Sequence, residues 1–325
     1  MNIFVTGGAG YIGSATAEAL SSAGHSVTVY DSLVTGHLGA VPAGAEFIHA
    51  SLDDSHGLAE SLTHANYDAV MHFAAFIEAG ESMKDPGKFF RNNTINSLHL
   101  IETAVQAGIR KFVFSSTAAV YQSSDALLTE ESPLGPTNVY GQTKLMTEQV
   151  LDWYFKIHGL RFAALRYFNA CGALPGRGEA HQPESHLIPR VLCIALGRGE
   201  SATIYGTDYP TPDGTCIRDY IHIADLVSAH LLALDALNQR DRLIYNIGSG
   251  KGYSVREVIE AARHVTGHPI PAQETPRRPG DSARLVASPK KIMEELGWNP
   301  VHNSLNEILS SAWEWHRTHP NGYGV

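Results

Sequence analysis

Tyr140 and Lys144 stand four residues apart in the stretch YGQTKLMTEQV, so on a helix both side chains leave the same face. An ammonium beside a phenol favours the phenolate, which predicts a lowered pKa for Tyr140. Such a phenolate can take the proton of an alcohol while hydride leaves the same carbon for an acceptor. On its own the pair also suits an ordinary surface helix. Upstream, Ser115, Ser116 and Thr117 end the apolar run KFVFSST. Their hydroxyls can orient a reacting alcohol or simply cap a strand.

A second set of residues predicts what the tyrosine works with. TGGAGYIGSA opens the chain with Gly7, Gly10 and Gly13 spaced three apart. The preceding NIFVT reads as a buried strand, and ATAEALSSAG (15–24) as a helix. HSVTVYD then reads as a strand ending in Asp31. Strand, glycine loop, helix, strand and acid in that order predict a dinucleotide site. Gly7 permits the turn, Gly10 clears space beside a pyrophosphate, and Gly13 lets the helix approach the sheet. Asp31 accepts from ribose hydroxyls and repels a 2'-phosphate, so NAD is expected over NADP.

Further strands are expected at AEFIHASL (45–52), YDAVMHFAA (67–75), KFVFSSTAAVY (111–121), RFAALRYFN (161–169) and LIYNIGSG (243–250), with SLHLIETAVQAG (97–108) as a helix. This alternation predicts an α/β fold, a Rossmann-type doubly wound parallel sheet with a smaller α/β substrate-binding domain. The catalytic helix is expected to start near Tyr140. SVREVIEAARHVTG has a capping serine and a stopping glycine, and SLNEILSSAWEWHRTH aligns Leu305, Ile308, Leu309, Ala312 and Trp315 on one apolar face. The nucleotide domain is expected over 1–169 plus about 219–250, and the substrate domain over about 170–218 plus 251–325.

The 325 residues carry a net charge of −9, which argues against a nucleic-acid or anionic-membrane partner. Three cysteines, Cys171, Cys193 and Cys216, lack metal-ligand spacing and suggest a reducing compartment. With no expected leader or membrane span, the cytoplasm is the expected location.

Taken together, GGAGYIG, HFAA, GES, SSTAAVY, YGQTK, LRYFNACGA and above all YGTDYPTPDGTCIRDYIHIADL resemble the UDP-glucose 4-epimerases of the extended short-chain dehydrogenase/reductase family, nearly end to end. The resemblance implies reversible inversion at C4 of UDP-glucose and UDP-galactose through a 4-keto sugar. Tyr140 is then the base, Lys144 its tuner, and Thr117 the group that positions the sugar O4. NAD is regenerated in each cycle and tightly held. Its implied contacts are Tyr11, Ile12, Asp31, Ser32, Ser51, Leu52, Phe73, Ala74, Ile77, Asn92, Ser115 and Phe168, besides the glycines and the Tyr–Lys pair. The UDP-sugar is implied to meet Thr117, Tyr140, Asn169, His186, Leu187, Thr203, Tyr205, Arg218, Tyr220, Arg278, Asp281 and Leu285. Tyr205 either stacks on uracil or fills the core, and no metal is expected at His186. A homodimer is implied as well.

Three departures bear on detail. Ser51 replaces an acid and Ile77 a lysine found in some relatives, which alters the expected hold on the cofactor. Leu285 stands where some relatives carry a larger tyrosine, so UDP-N-acetylhexosamines are conceivable substrates. A dehydratase would need an Asp–Glu pair where this chain has Ala118 and Ala119. A noncatalytic nucleotide-sugar binder would have no use for Thr117, Tyr140 and Lys144 together.

Overall fold

The computed structural model describes residues 1–324 apart from 125, 279 and 280. Pro279 and Gly280, part of the ETPRRPGD loop singled out above, therefore lie outside the described residues. Along the chain run β1 (Asn2–Thr6), β2 (Ser26–Asp31), β3 (Glu46–His49), β4 (Ala69–His72), β5 (Lys111–Thr117) and β6 (Arg161–Tyr167). After them come β7 (Asn169–Cys171), β8 (Ala202–Tyr205), β9 (Ile217–His222), β10 (Arg242–Ile247), β11 (Gly252–Ser254), β12 (Ala272–Thr275) and β13 (Arg284–Leu285).

The main sheet has seven strands in the order β10-β6-β5-β4-β1-β2-β3. Strand order reverses between β1 and β4, both parallel to their neighbours, which makes the doubly wound switch point where such sheets bind ligands. Phe4, Val70, Phe112, Phe114 and Phe162 pack one face of it against Leu100, Ile101 and Leu151 of the flanking helices. Each such buried side chain contributes about 1.5–3 kcal/mol.

Helix starts and stops follow local chemistry. The helix Val139–His158 begins at Asn138, whose side chain accepts from the Gly141 amide, and ends at Gly159 in the left-handed region. Ser254 and Glu257 form a reciprocal capping box at the start of Val255–Thr266. The first helix, Tyr11–Ser22, starts four residues earlier than its apolar spacing suggested, because Gly10 already serves as its N-cap.

Contacts divide the chain into two compact units. The first comprises 1–122, 133–166 and 227–245, and the second 123–132, 167–226 and 246–325. The segment 219–237 is split: β9 pairs within a small sheet with β7, β11 and β13, while the chain from Val227 groups with the first unit. In the second unit, Ile188, Val191, Ile259, Ile308 and Leu309 form a separate core. Leu305, Ile308, Leu309, Ala312 and Trp315 of the helix Leu305–Thr318 are all buried, as their spacing predicted. Among the described residues no helix is long and apolar enough to cross a membrane.

Candidate active site

The glycine loop leaves β1 at the switch point. Gly7 has φ of 72°, and a Cβ there would lie 2.4 Å from the Ala74 nitrogen, so the loop after β4 presses against it. A Cβ on Gly13 would lie 2.1 Å from the Gly7 carbonyl oxygen. That glycine therefore serves the close approach of the helix to the loop rather than to the sheet. At Gly10 the nearest protein atom is 3.4 Å from a Cβ, an ordinary contact, so the fold itself makes no demand for glycine there. No side chain caps this helix. Its free amides and the room beside Gly10 fit a pyrophosphate.

Asp31 is buried at the end of β2. Its two oxygens accept from the amides of Ala9 (2.9 Å) and Leu33 (2.8 Å), which leaves lone pairs on both for hydroxyl donors. Burial raises its pKa, and the two amides oppose the rise. Leu33 is strained at φ 57° to deliver its amide. Ser32 accepts from His49, and Ser51 is tied to Asp53 rather than left open. Leu52 belongs to the core. These features fit an adenosine ribose with free hydroxyls.

On the other side of the switch point, β5 ends at Thr117, whose hydroxyl accepts from the Ala119 amide and hydrogen-bonds the Tyr140 phenol. Lys144 is 2% exposed, donates to the Ser115 carbonyl at 2.9 Å, and lies over the Phe114 ring. The helix can come this near because residue 141 is glycine: a Cβ would stand 2.2 Å from the Ala119 carbonyl oxygen. The fold thus brings Thr117 to Tyr140 and Ser115 to Lys144.

Their electrostatics differ from the expectation. Desolvation pushes the Tyr140 phenol up to about 12; the Thr117 hydrogen bond opposes this and the Glu78 carboxylate adds to it. Burial brings the Lys144 amine down to about 7. The shared dry setting disfavours charge on either group, so the lysine does not by itself yield a phenolate.

Sequence reasoning missed Asn93. It is 1% exposed and lies in a π-helical stretch, Phe90–Ile95. Its side chain accepts from the Phe76 and Asn92 nitrogens and donates to the Phe76 carbonyl and the Thr143 hydroxyl. The loop holding Phe73, Ala74 and Ile77 is thereby tied to the catalytic helix. Ile77 donates its amide to Glu78, and Phe73 packs on His230. Also missed was His72, 2.7 Å from both Thr6 and Ser97 hydroxyls. Ser97 donates onward to the Asn93 carbonyl, so it accepts from His72 Nε2 and leaves Nδ1 to accept from Thr6. Burial and the Lys144 charge bring this imidazole down to about 3, so it is neutral. Gly141, in YGQTK, and His72, in HFAA, both fall in motifs quoted above, whereas Asn93 falls in none.

The residues assigned to the sugar nucleotide mostly lie in the second unit. Arg218 donates to the Ile217 and Ser282 carbonyls and approaches Asp281 at 3.5 Å. Arg278 pairs with Asp281 at 2.9 Å and lies over the Tyr205 ring at 4.5 Å. Tyr205 therefore presents a face to a cation rather than filling the core. Asn169 donates to the Asp219 carbonyl, and its register partner Tyr220 is buried. Phe168 is buried and donates to Ile247. Leu285 pairs with Arg218 across β13 and β9. Thr203 lies two residues before Tyr205 on β8 of the two-stranded β8–β12 sheet, and His186 is the N-cap before Leu187. Folding also gives His186 company its spacing did not predict, with ligand-type atoms of Glu179 and Glu184 within 4.8 Å. Glu184 already accepts from both the amide and Nδ1 of His186, so this is a carboxylate–imidazole pair.

Residues 3–248 match the NAD dependent epimerase/dehydratase family. The chain belongs to that family. It is 49% identical to the UDP-glucose 4-epimerase of Halalkalibacterium halodurans, over 100% of this chain and 98% of that one. A crystal structure of a UDP-glucose 4-epimerase superposes with a TM-score of 0.96 at 48% identity, covering 100% of both chains. The Bifidobacterium longum UDP-glucose 4-epimerase, solved with NAD+ and UDP, superposes at 0.94 with 35% identity, over 99% of this chain and 100% of that one.

The lowered Lys144 pKa has a consequence for stability. Between about 7 and 10.5 the unfolded lysine holds a proton that the folded one has shed, so stability rises with pH across that window. Each unit of that difference is worth about 1.4 kcal/mol. Urea unfolding at pH 7.5 and 9.5 should show the native protein gaining stability, and Lys144→Met losing that gain. The same pH slope in both proteins would refute the assignment.

Proposed function

We propose that this protein catalyses reversible, NAD-dependent C4 epimerisation of UDP-glucose and UDP-galactose. The observation that carries the reading is the Tyr140 phenol hydrogen-bonded to Thr117, one turn from a buried Lys144, at the ligand-binding end of the sheet. Gly7, Gly10, Gly13 and Asp31 hold NAD, with Tyr11, Ile12, Ser32, Phe73, Ala74, Asn92, Ser115 and Phe168 as further contacts. Bound NAD supplies the acceptor and later the donor of the C4 hydride, and its positive ring lowers the cost of a phenolate at Tyr140. Tyr140 Oη removes the O4 proton and returns it to the reduced product. Thr117 orients O4, and Lys144 holds the nicotinamide ribose. Arg218 and Arg278 bind the diphosphate, while Asn169, His186, Leu187, Thr203, Tyr205, Tyr220 and Asp281 complete the nucleotide-sugar contacts.

Purified protein given UDP-galactose without added NAD should produce UDP-glucose, and denaturation should release NAD rather than NADP. Tyr140→Phe keeps the ring but lacks the proton, so turnover should fall by at least about 100-fold with little change in UDP affinity. Near-normal turnover in that variant would remove Tyr140 as the base.

Leu285 bears on substrate breadth. Leucine leaves more room beside the C2 substituent than tyrosine does, but offers an acetamido group no hydrogen bond. UDP-glucose and UDP-galactose are therefore the main pair. In Leu285→Tyr, kcat/KM for UDP-N-acetylglucosamine should drop more than for UDP-glucose. Equal losses would show that residue 285 is no size gate.

The protein forms a homodimer. The adjoining helices Asn96–Gln106 and Val139–His158 leave Leu98, Trp153 and Ile157 exposed, the last two at 62% and 68%. A second copy covers this apolar surface. The three cysteines are free thiols, in keeping with the reducing cytoplasm. Light scattering should give twice the chain mass for the native protein and a monomer for Trp153→Glu/Ile157→Glu. A native monomer would refute the dimer.

A further inference from the structure

Asp219 follows Arg218 on β9 and points to the opposite face of that strand. It is fully buried. One carboxylate oxygen accepts from the Ser249 amide (2.8 Å) and hydroxyl (2.7 Å), and the other from the amides of Gly250 and Ala287, both at 3.1 Å. The four acceptor positions of a carboxylate are thus filled by four donors. A Cβ on Gly248 would lie 2.6 Å from Asp219 Oδ2, so the turn that supplies two of these amides can close only over a glycine. Burial raises the carboxyl to about 6, and the four donors oppose that rise, leaving it charged at neutral pH.

The Ala287 bond leads toward a residue assigned to the sugar nucleotide, and the other three tie the strand to the 248–250 turn. Ala287 lies two residues beyond Leu285, whose strand pairs with Ile217 and Arg218. The Asp219 carbonyl receives the Asn169 side-chain amide at 2.7 Å. Arg218 is the neighbouring residue, and its guanidinium reaches the Ser282 carbonyl at the start of the same clamped segment. The carboxylate touches none of the groups that would meet a ligand. It joins the strand that carries Arg218 to the segment that follows Leu285 and to the 248–250 turn.

We infer that Asp219 is a positioning residue that holds Arg218 and Leu285 in register for the nucleotide sugar, an inference that rests on the UDP-hexose reading above. Asparagine at 219 would turn an amide NH2 toward two of the four donors, so the clamp should open without loss of volume.

The test compares Asp219→Asn, Ser249→Ala and Arg218→Met with the native holoenzyme. It measures KM and kcat for UDP-galactose, Kd for UDP by calorimetry, and NAD released on denaturation. Asp219→Asn should raise KM and the UDP Kd at least tenfold, with kcat within threefold of native and NAD content unchanged. Ser249→Ala, which removes one of the four donors, should move both constants in the same direction by a smaller factor. Unchanged KM and Kd in a folded Asp219→Asn overturn the inference, as does a loss of kcat and NAD with KM unmoved. Should Asp219→Asn not fold, native KM and Kd in Ser249→Ala overturn it instead. Unchanged UDP affinity in Arg218→Met would sink the nucleotide-sugar reading itself, whereas weakened affinity there with an unaffected clamp variant would sink only this role for Asp219.

Discussion

The close approach of the helix Val139–His158 to the end of β5 is the constraint on which the proposed chemistry depends. A side chain at residue 141 would overlap the Ala119 carbonyl, so glycine is what allows Tyr140 to reach the Thr117 hydroxyl. That proximity excludes water, and the exclusion sets the pKa values of both ionisable groups. A dry pocket holds the phenol neutral and makes the lysine a weak base. Charge at either becomes favourable when a compensating charge arrives, so proton transfer is tied to occupancy of the site.

Holding polar groups in such a place requires that each find a partner. The first unit meets this with a continuous chain: Thr6, His72, Ser97 and the Asn93 carbonyl in turn, then Thr147 on the catalytic helix. It runs from the strand that feeds the glycine loop to the helix that carries the tyrosine. Beneath the site, Arg166 and Glu148 form a bidentate pair, both nearly inaccessible, with Ser116 donating to Glu148 and Tyr121 accepting from Arg166. A buried ion pair adds little net stability but fixes orientation strongly, because removing one partner strands the other. The second unit uses the same device at Asp219, where a single carboxylate gathers donors from two separate segments.

How much of this was legible beforehand follows from the range of each interaction. Glycine spacing, the acid ending β2, the Tyr–Lys interval and the capping serine at 254 are local signals, and each corresponds to an element or cap in the structure. The amphipathic stripe of the last helix was equally readable, since burial of one face repeats every three to four residues. Asn93, His72 and Asp219 carry no such mark. Apart from Asn92 beside Asn93, the partners of these side chains lie 17 to 68 residues away, and an asparagine, a histidine or an aspartate with distant partners resembles any other.

By itself, then, the sequence determined the class of fold, the dinucleotide loop and the pairing of Tyr140 with Lys144, because all of these rest on periodicity and backbone propensity within a few residues. Tertiary structure alone decided the protonation preference of that pair. A pKa depends on how completely solvent is removed, and no spacing rule measures desolvation. It likewise decided that Gly13 serves the loop, that Tyr205 lies under Arg278, and that Glu179 and Glu184 converge on His186. Each is a through-space contact made only when distant stretches of chain are packed, and packing is set by the whole core rather than by any local run.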